Sequence, residues 1–343
     1  MALFRRTDRS VGRRIATFWE WWVAEGRAQA VASIGGEHKT FAAAIAHRLE
    51  PLGGLEWALA EGDSSEHVLV ITAGGDPTRR ALARRVLLAG PEADATWSYL
   101  DTRPPAPDPE AIVLQLPGSP PIDGQRVSVS ARLEGTRFDV HVHHPAFADL
   151  PADQASMLTL LLLDAALGEV DTELWVGEVS PATVAPLDGF GLYALRAVVR
   201  DLKGQHVDED GRPTWVLLQG ESTAGPLVAA ARVPLHPLVA PLLDTYVAVV
   251  LPYTERSGDG LPRDGSLSRL REFEDRLEGD LGVQGMLVAH QSAAGVRTVH
   301  VYVDGSTEAV AIVKRRARTW ADGRATVHDL PDAGWDSVQH LRH

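Results

Sequence analysis

One stretch of this chain is written twice. Residues 39–101, moved forward by 230 positions, fall on residues 269–331 without a gap. Phe41-Ala-Ala-Ala-Ile45 then lies over Arg271-Glu-Phe-Glu-Asp275, and His67-Val-Leu-Val-Ile-Thr72 over Arg297-Thr-Val-His-Val-Tyr302. Few residues are identical, but both copies predict helix, strand, strand, helix, strand. A repeat at a fixed distance is a statement about architecture, so a fold assigned to one copy must also serve the other.

The second copy reads most clearly. Tyr246–Leu251 predicts a strand, and Leu267, Leu270, Phe273, Leu277 and Leu281 line one face of a helix over Ser266–Leu281. Gly285–His290 and Val296–Val303 form a hairpin turning at Ala293-Ala294-Gly295; a helix over Thr307–Trp320 and a strand over Ala325–Asp329 follow. The order β-α-β-β-α-β is the ferredoxin-like arrangement, an antiparallel sheet with two helices on one face. Its other face is expected to stay open.

The first copy has other neighbours. A helix over residues 10–31 precedes it, with Val11, Ile15, Phe18, Trp19, Trp22 and Val23 on one apolar stripe and Trp21 off that stripe. Asp76-Pro77 is a helix start, with Asp76 as N-cap and Pro77 in the first turn. Arg103–Glu110 is proline-rich and reads as a linker inside the first half. Strands Arg126–Leu133 and Arg137–His143 come next, then a long helix over Ala152–Leu167 ended by Gly168. The expected class is α+β, with antiparallel sheets and helices on one face. The expected divisions are an N-terminal domain over 1–205, a linker with bridging strands over 206–243, and a ferredoxin-like domain over 244–343.

Composition narrows the function. Net charge is −13, which argues against a nucleic-acid partner, because phosphate backbones attract basic surfaces, and permits a basic protein partner. No cysteine is present, which excludes thiol nucleophiles and cysteine-ligated metals. The longest strongly apolar run, Met157–Leu163, is far short of the roughly 20 residues a membrane span needs and reads as a buried helix. The first residues lack the apolar run of a secretion signal, so the expected compartment is the cytoplasm.

Four stretches carry a family resemblance. They are Trp19-Glu-Trp-Trp22; Ile71-Thr-Ala-Gly-Gly-Asp76-Pro77; His143-His-Pro-Ala-Phe147 with the later Leu163-Asp-Ala-Ala-Leu-Gly168-Glu-Val-Asp-Thr-Glu-Leu-Trp175-Val-Gly177; and the C-terminal module. Over about residues 15–330 they resemble the bacterial domain-of-unknown-function family numbered 695. Over roughly residues 244–341 the chain also resembles the regulator of ribonuclease E activity B, a small acidic protein that binds and restrains an endoribonuclease. The ending Asp332-Ala-Gly-Trp335 is similar to that regulator's Asp-Pro-x-Trp, with Ala333 in place of the proline. The resemblance implies regulation by protein binding and supplies no catalytic residues.

Several side chains bear chemistry. Asp139, His141 and His143 alternate along one strand, about 7 Å between successive Cα atoms, so one strand face offers a carboxylate and two imidazoles as zinc ligands, or else a solvated face. Ser222 in Gly220-Glu-Ser222-Thr-Ala224-Gly225 sits where a nucleophile elbow would need glycine at 224, so a hairpin turn fits better. Ala73-Gly-Gly-Asp76 lacks the glycine fingerprint and lysine of a phosphate loop, and an N-cap turn fits better. Arg79, Arg80, Arg84 and Arg85 predict a solvated basic face, repeated at Lys314, Arg315, Arg316 and Arg318. Trp21 is the candidate exposed anchor for a protein partner. The expected function is a non-catalytic protein-binding or regulatory module with no cofactor. The alternative is a metal-dependent hydrolase built on Asp139, His141 and His143.

Overall fold

The computed structural model describes residues 2–34, 38–223 and 225–342. The first copy is led by Ala2–Trp21 (α1), one π-helical turn at Trp22–Gly26, and Arg27–Ile34 (α2). Gly35-Gly36, a helix-stop signal in the sequence, lies outside the described residues. The π-turn corrects the reading of Trp21. A strict 3.6-residue period puts Trp21 outside and Val23 inside, but Trp21 is 6% exposed and Val23 57%. The wider i→i+5 turn lets Trp21 and Trp22 both face the core and rotates Val23 outward. Gly26 makes room for it: a Cβ there would lie 2.7 Å from the Trp22 ring. Trp22 meets Trp97 edge-on at 4.9 Å, and the Arg48 guanidinium covers the Trp21 ring at 5.5 Å.

The repeated frame follows as His38–Leu49 (α3), Glu56–Glu61 (β1), His67–Thr72 (β2), Arg80–Leu88 (α4) and Trp97–Leu100 (β3). Phe41, Ile45 and Leu49, four residues apart, bury one face of α3. β1 pairs antiparallel with β2, and β2 pairs parallel with β3. Asp76 caps the short turn Pro77–Arg79 that leads into α4, accepting from Thr78 N at 2.9 Å and Thr78 Oγ1 at 2.6 Å.

An insertion carries Val113–Leu114 (β4), Ile122–Asp123 (β5), Ser128–Glu134 (β6), Arg137–His143 (β7), Ala152–Trp175 (α5), Val176–Ala182 (β8) and Leu192–Gln205 (α6). β7 is central, antiparallel to β6 and parallel to β8. Val140 and Val142 join Leu158, Leu162, Leu195 and Val199 in one core. α5 breaks at Gly168, where φ is 75°. Only glycine suits the position, since a Cβ would also lie 2.8 Å from Pro105 of the proline-rich segment.

Trp215–Ser222 (β9) and Gly225–Arg232 (β10) precede the second frame: Thr245–Pro252 (β11), Asp264–Leu281 (α7), Gly285–Ala293 (β12), Val296–Val303 (β13), Ala309–Ala317 (α8) and Thr326–Pro331 (β14). These strands form one six-stranded sheet ordered β14-β11-β13-β12-β10-β9. The first four give the ferredoxin-like order, each neighbouring pair antiparallel. β9 and β10 are sheet neighbours joined by residues 223–224 alone, the hairpin expected there, since a parallel crossover needs a dozen residues or more.

The repeat is present in space. Glu56↔Thr72 in the first hairpin corresponds to Met286↔Tyr302 in the second, both shifted by 230 positions, until a bulge between Leu287 and Ala289 offsets the second. The gapless alignment needs one correction. Buried Phe41, Ile45 and Leu49 correspond to buried Phe273, Leu277 and Leu281, a shift of 232. The connection after the second helix is two residues shorter, so helix and strands keep different offsets. The missing first strand also explains the parallel pair: β11 separates β13 from β14, whereas β3 lies directly on β2.

The expected domain boundaries are also corrected. The chain divides into one compact unit of Met1–Asp101, Leu218–Ala230 and Val239–His340, and a second of Thr102–Leu217, Ala231–Leu238 and Leu341–His343. The first 205 residues are therefore not one domain. Both copies of the frame belong to the first unit, and the proline-rich segment read as an internal linker begins just after its first boundary. Within that unit Arg85 of α4 bonds Asp244 at 2.8 Å and Asp304 at 3.1 Å, tying one copy to the other.

Candidate functional site

The strand face proposed for metal keeps its alternation: Val140 and Val142 point into the core and the polar side chains point away. Their partners, however, are structural. The register between β7 and β8 shifts after Phe138, and Asp139 Oδ1 accepts from the Glu178 amide at 2.8 Å beside that irregularity. Gly177 leaves space for the carboxylate, since a Cβ would stand 2.5 Å from Asp139 Oδ1. His141 Nδ1 is 2.6 Å from Ser180 Oγ across the same strand pair. His143 lies opposite Ser128. Among the described residues no group of three or more His, Asp or Glu side chains is placed to hold a metal ion. Next to them, buried His144 accepts from Ala146 N at 3.2 Å, and burial, then the positive charge of Arg126, pushes its pKa down.

The other motifs resolve similarly. A Cβ on Gly74 would lie 2.5 Å from the Glu56 carboxyl group, so a carboxylate occupies the approach to the Ala73–Asp76 turn and would repel phosphate. The Ser222 side chain lies outside the described residues. The basic helix face of the first copy is not simply solvated. Arg80 is buried, Arg79 pairs with Asp76 at 2.9 Å and Arg84 with Asp101 at 2.7 Å. In the second copy Arg316 bonds Asp280 at 2.7 Å.

One polar device is shared by both copies, two positions out of the expected register. Asp304 Oδ1 accepts from Ser306 N at 2.9 Å and Ser306 Oγ at 2.7 Å, the pattern Asp76 makes with Thr78. It is a cap and orders the turn into a helix in each copy.

The open sheet face expected of the second copy is covered by the chain itself. Trp335 stacks on Tyr302 at 4.4 Å and donates from Nε1 to Leu243 O at 2.8 Å. Asp332 accepts from Tyr302 Oη at 2.7 Å and from the amides of Asp336 and Ser337 at 2.9 Å each. Trp335 has φ 57°, a left-handed conformation costing a non-glycine residue about 1–2 kcal/mol, which burial of the whole indole offsets.

The feature the sequence reading missed is on α5. The apolar run Met157–Leu163 is buried on one side only. Leu158, Leu162 and Leu163 enter the core, while Met157, Leu160 and Leu161 are 54%, 51% and 37% exposed. These three recur at i, i+3 and i+4, one stripe along the helix, with Asp153 and Asp164 four and three residues beyond its ends. A run apolar on every side hides this in sequence, because periodicity cannot separate a helix buried all round from one with an unfilled face.

Among the described residues no helix is long and apolar enough to cross a membrane. No family model, curated protein or solved structure matches the chain.

Proposed function

We propose that the protein is a non-catalytic binding module that receives an amphipathic helix of a partner protein on α5. The supporting observation is the exposed stripe Met157, Leu160 and Leu161 on a helix whose opposite side fills the core of its unit. Helical spacing suits a partner read as a helix, with anchors at similar steps. Methionine adds an adaptable contact surface. Exposed Asp153 beyond the N-terminal end favours a basic residue flanking the partner's apolar face, in keeping with the net charge of −13.

Within the same proposal the compartment is the cytoplasm and the partner a protein, not a nucleic acid. Support for the latter comes from arginines tied to carboxylates, Arg79, Arg84, Arg85 and Arg316, in both copies. The resemblance to the regulator of ribonuclease E activity B favours regulation as the outcome of binding.

A photo-crosslinking residue at position 160, expressed in native cells, tests the reading. The expected result is one reproducible adduct with another protein, absent when the crosslinker sits at exposed Arg200 and competed away by purified protein but not by Leu160→Glu protein. Leu160→Glu should shift folding stability by no more than about 0.5 kcal/mol, as exposed sites do. No adduct above the Arg200 control, or adducts only with a second copy of the chain, would overturn it.

A further inference from the structure

Residues 332–340 close the sheet face of the second copy and rest on a pair of histidines. The segment leaves β14 at Pro331, and the Asp332 amide donates to Asp244 O at 2.8 Å. Trp335 and Val338 are its fully buried anchors. Exposed His340 meets the buried His300 ring edge-on at 6.2 Å, and its Nε2 lies 3.3 Å from Gln291 Oε1. Among the described residues no carboxylate bonds either imidazole. The other titratable groups around His300 are Tyr246 of β11, Tyr302 of β13, His290 of β12 and, across Ala248, exposed His328 of β14. The carboxylate nearest this set, Glu274, is 3.3 Å from His290 and also bonds Arg297 at 3.1 Å. Protonation therefore works against the closed segment. His300 Nδ1 lies 2.6 Å from Tyr246 Oη, and a second ring proton makes both nitrogens donors, while Nε2 is buried with no hydrogen-bond partner among the described residues. Asp332 is not the trigger. Burial works against its charge, but bonds from Ser337 and Tyr302 hold its pKa below the usual carboxylate range, so it stays ionised at pH 5.

We propose that residues 332–340 are an acid-released latch: protonation of His300 and His340 lifts the segment off the sheet and uncovers the Tyr246–Tyr302 face, while the core on the helix side stays folded. Two imidazolium rings 6.2 Å apart repel each other across the contact that seats the segment. Release hydrates both rings and frees Trp335 from its φ of 57°. Burial, then the charges of His340 and His290, lowers the His300 pKa to about 4 in the closed state, whereas a hydrated histidine takes its proton near 6.5. Opening therefore becomes more favourable as pH falls below 6.5, by about 20-fold between pH 7 and 5. The latch does not rest on the reading of α5 and needs no partner there.

Thiol labelling of the full chain tests it. Val338→Cys and, as a control in the helix-side core, Val249→Cys each give the chain a single thiol at a buried position. Labelling by a dithiodipyridine reagent is followed at pH 7 and 5, in buffer and in urea, and the ratio of the two rates cancels the thiol's own titration. Protection at 338 should fall about 20-fold from pH 7 to 5. At pH 5 position 338 should be labelled at least about 10-fold faster than 249, the mark of local opening. His300→Gln keeps an acceptor for Tyr246 Oη without titrating and should remove most of the fall. His340→Gln, at an exposed position, should reduce it, and it reads the same latch if the His300 variant loses its cooperative melt. Equal labelling of 338 and 249 at pH 5, or a fall that both glutamine variants leave unchanged, would overturn the proposal.

Discussion

His300 shows how one buried side chain sets a solution property. It is 3% exposed, with Nδ1 2.6 Å from Tyr246 Oη and Nε2 buried without a hydrogen-bond partner among the described residues. Burial, then the charges of His340 and His290, pushes its pKa down to about 4 from an ordinary 6.5. The folded protein therefore resists the proton that the unfolded chain accepts. Its stabilising share is complete above pH 6.5 and drains away as pH falls towards 4. Between pH 7 and 5 the loss should be roughly 2 kcal/mol. Urea midpoints at the two pH values measure it, and His300→Leu should flatten the difference. Equal pH slopes in both proteins would count against this account of His300. Trp21 teaches a second lesson at this scale: one π-turn and one glycine move an indole from the expected surface into the core.

At the scale of elements, the strongest periodicities were legible and the exceptions have physical causes. The frame of the second copy is readable because Leu270, Phe273, Leu277 and Leu281 step along one helix face while β11 and β13 alternate core valines with other side chains. The β7 alternation is readable for the same reason. What its polar face does is not, because the partners of Asp139 and His141 are on β8, nearly forty residues away. The exposed half of α5 escapes a pattern built on apolarity alone. The break in α5 was legible, and its cause is a contact with the proline-rich segment. Gly168→Ala should cost about 1–3 kcal/mol, since it combines a left-handed φ with a Cβ 2.8 Å from Pro105. Denaturant unfolding checks this, and a change below 0.5 kcal/mol would mean that the helix junction adapts.

For the whole molecule, duplication organises the chain differently from its linear order. Sequence proximity assigns residues 1–101 to the insertion that follows them. The structure instead groups them with the second copy, across that insertion. Linear composition carries no sign of this, because the link depends on long-range bonds such as those from Arg85 to Asp244 and Asp304. The two copies share a frame and a capping aspartate but differ in their cores: the first is closed by tryptophans from a preceding helix, the second by an added strand. The insertion brings the apolar stripe, so the feature proposed for partner binding lies outside the duplicated frame.

The association of the two copies is the central claim, and the absence of cysteine makes it directly testable. Cysteines placed at Arg85→Cys and Asp244→Cys would be the only thiols in the chain. Treatment with a short bifunctional maleimide should give an intramolecular crosslink in native buffer, seen as a shifted band on a denaturing gel. Neither single variant should give it, and urea should abolish it. A double variant that behaves in native buffer like the single variants would contradict the pairing of the copies.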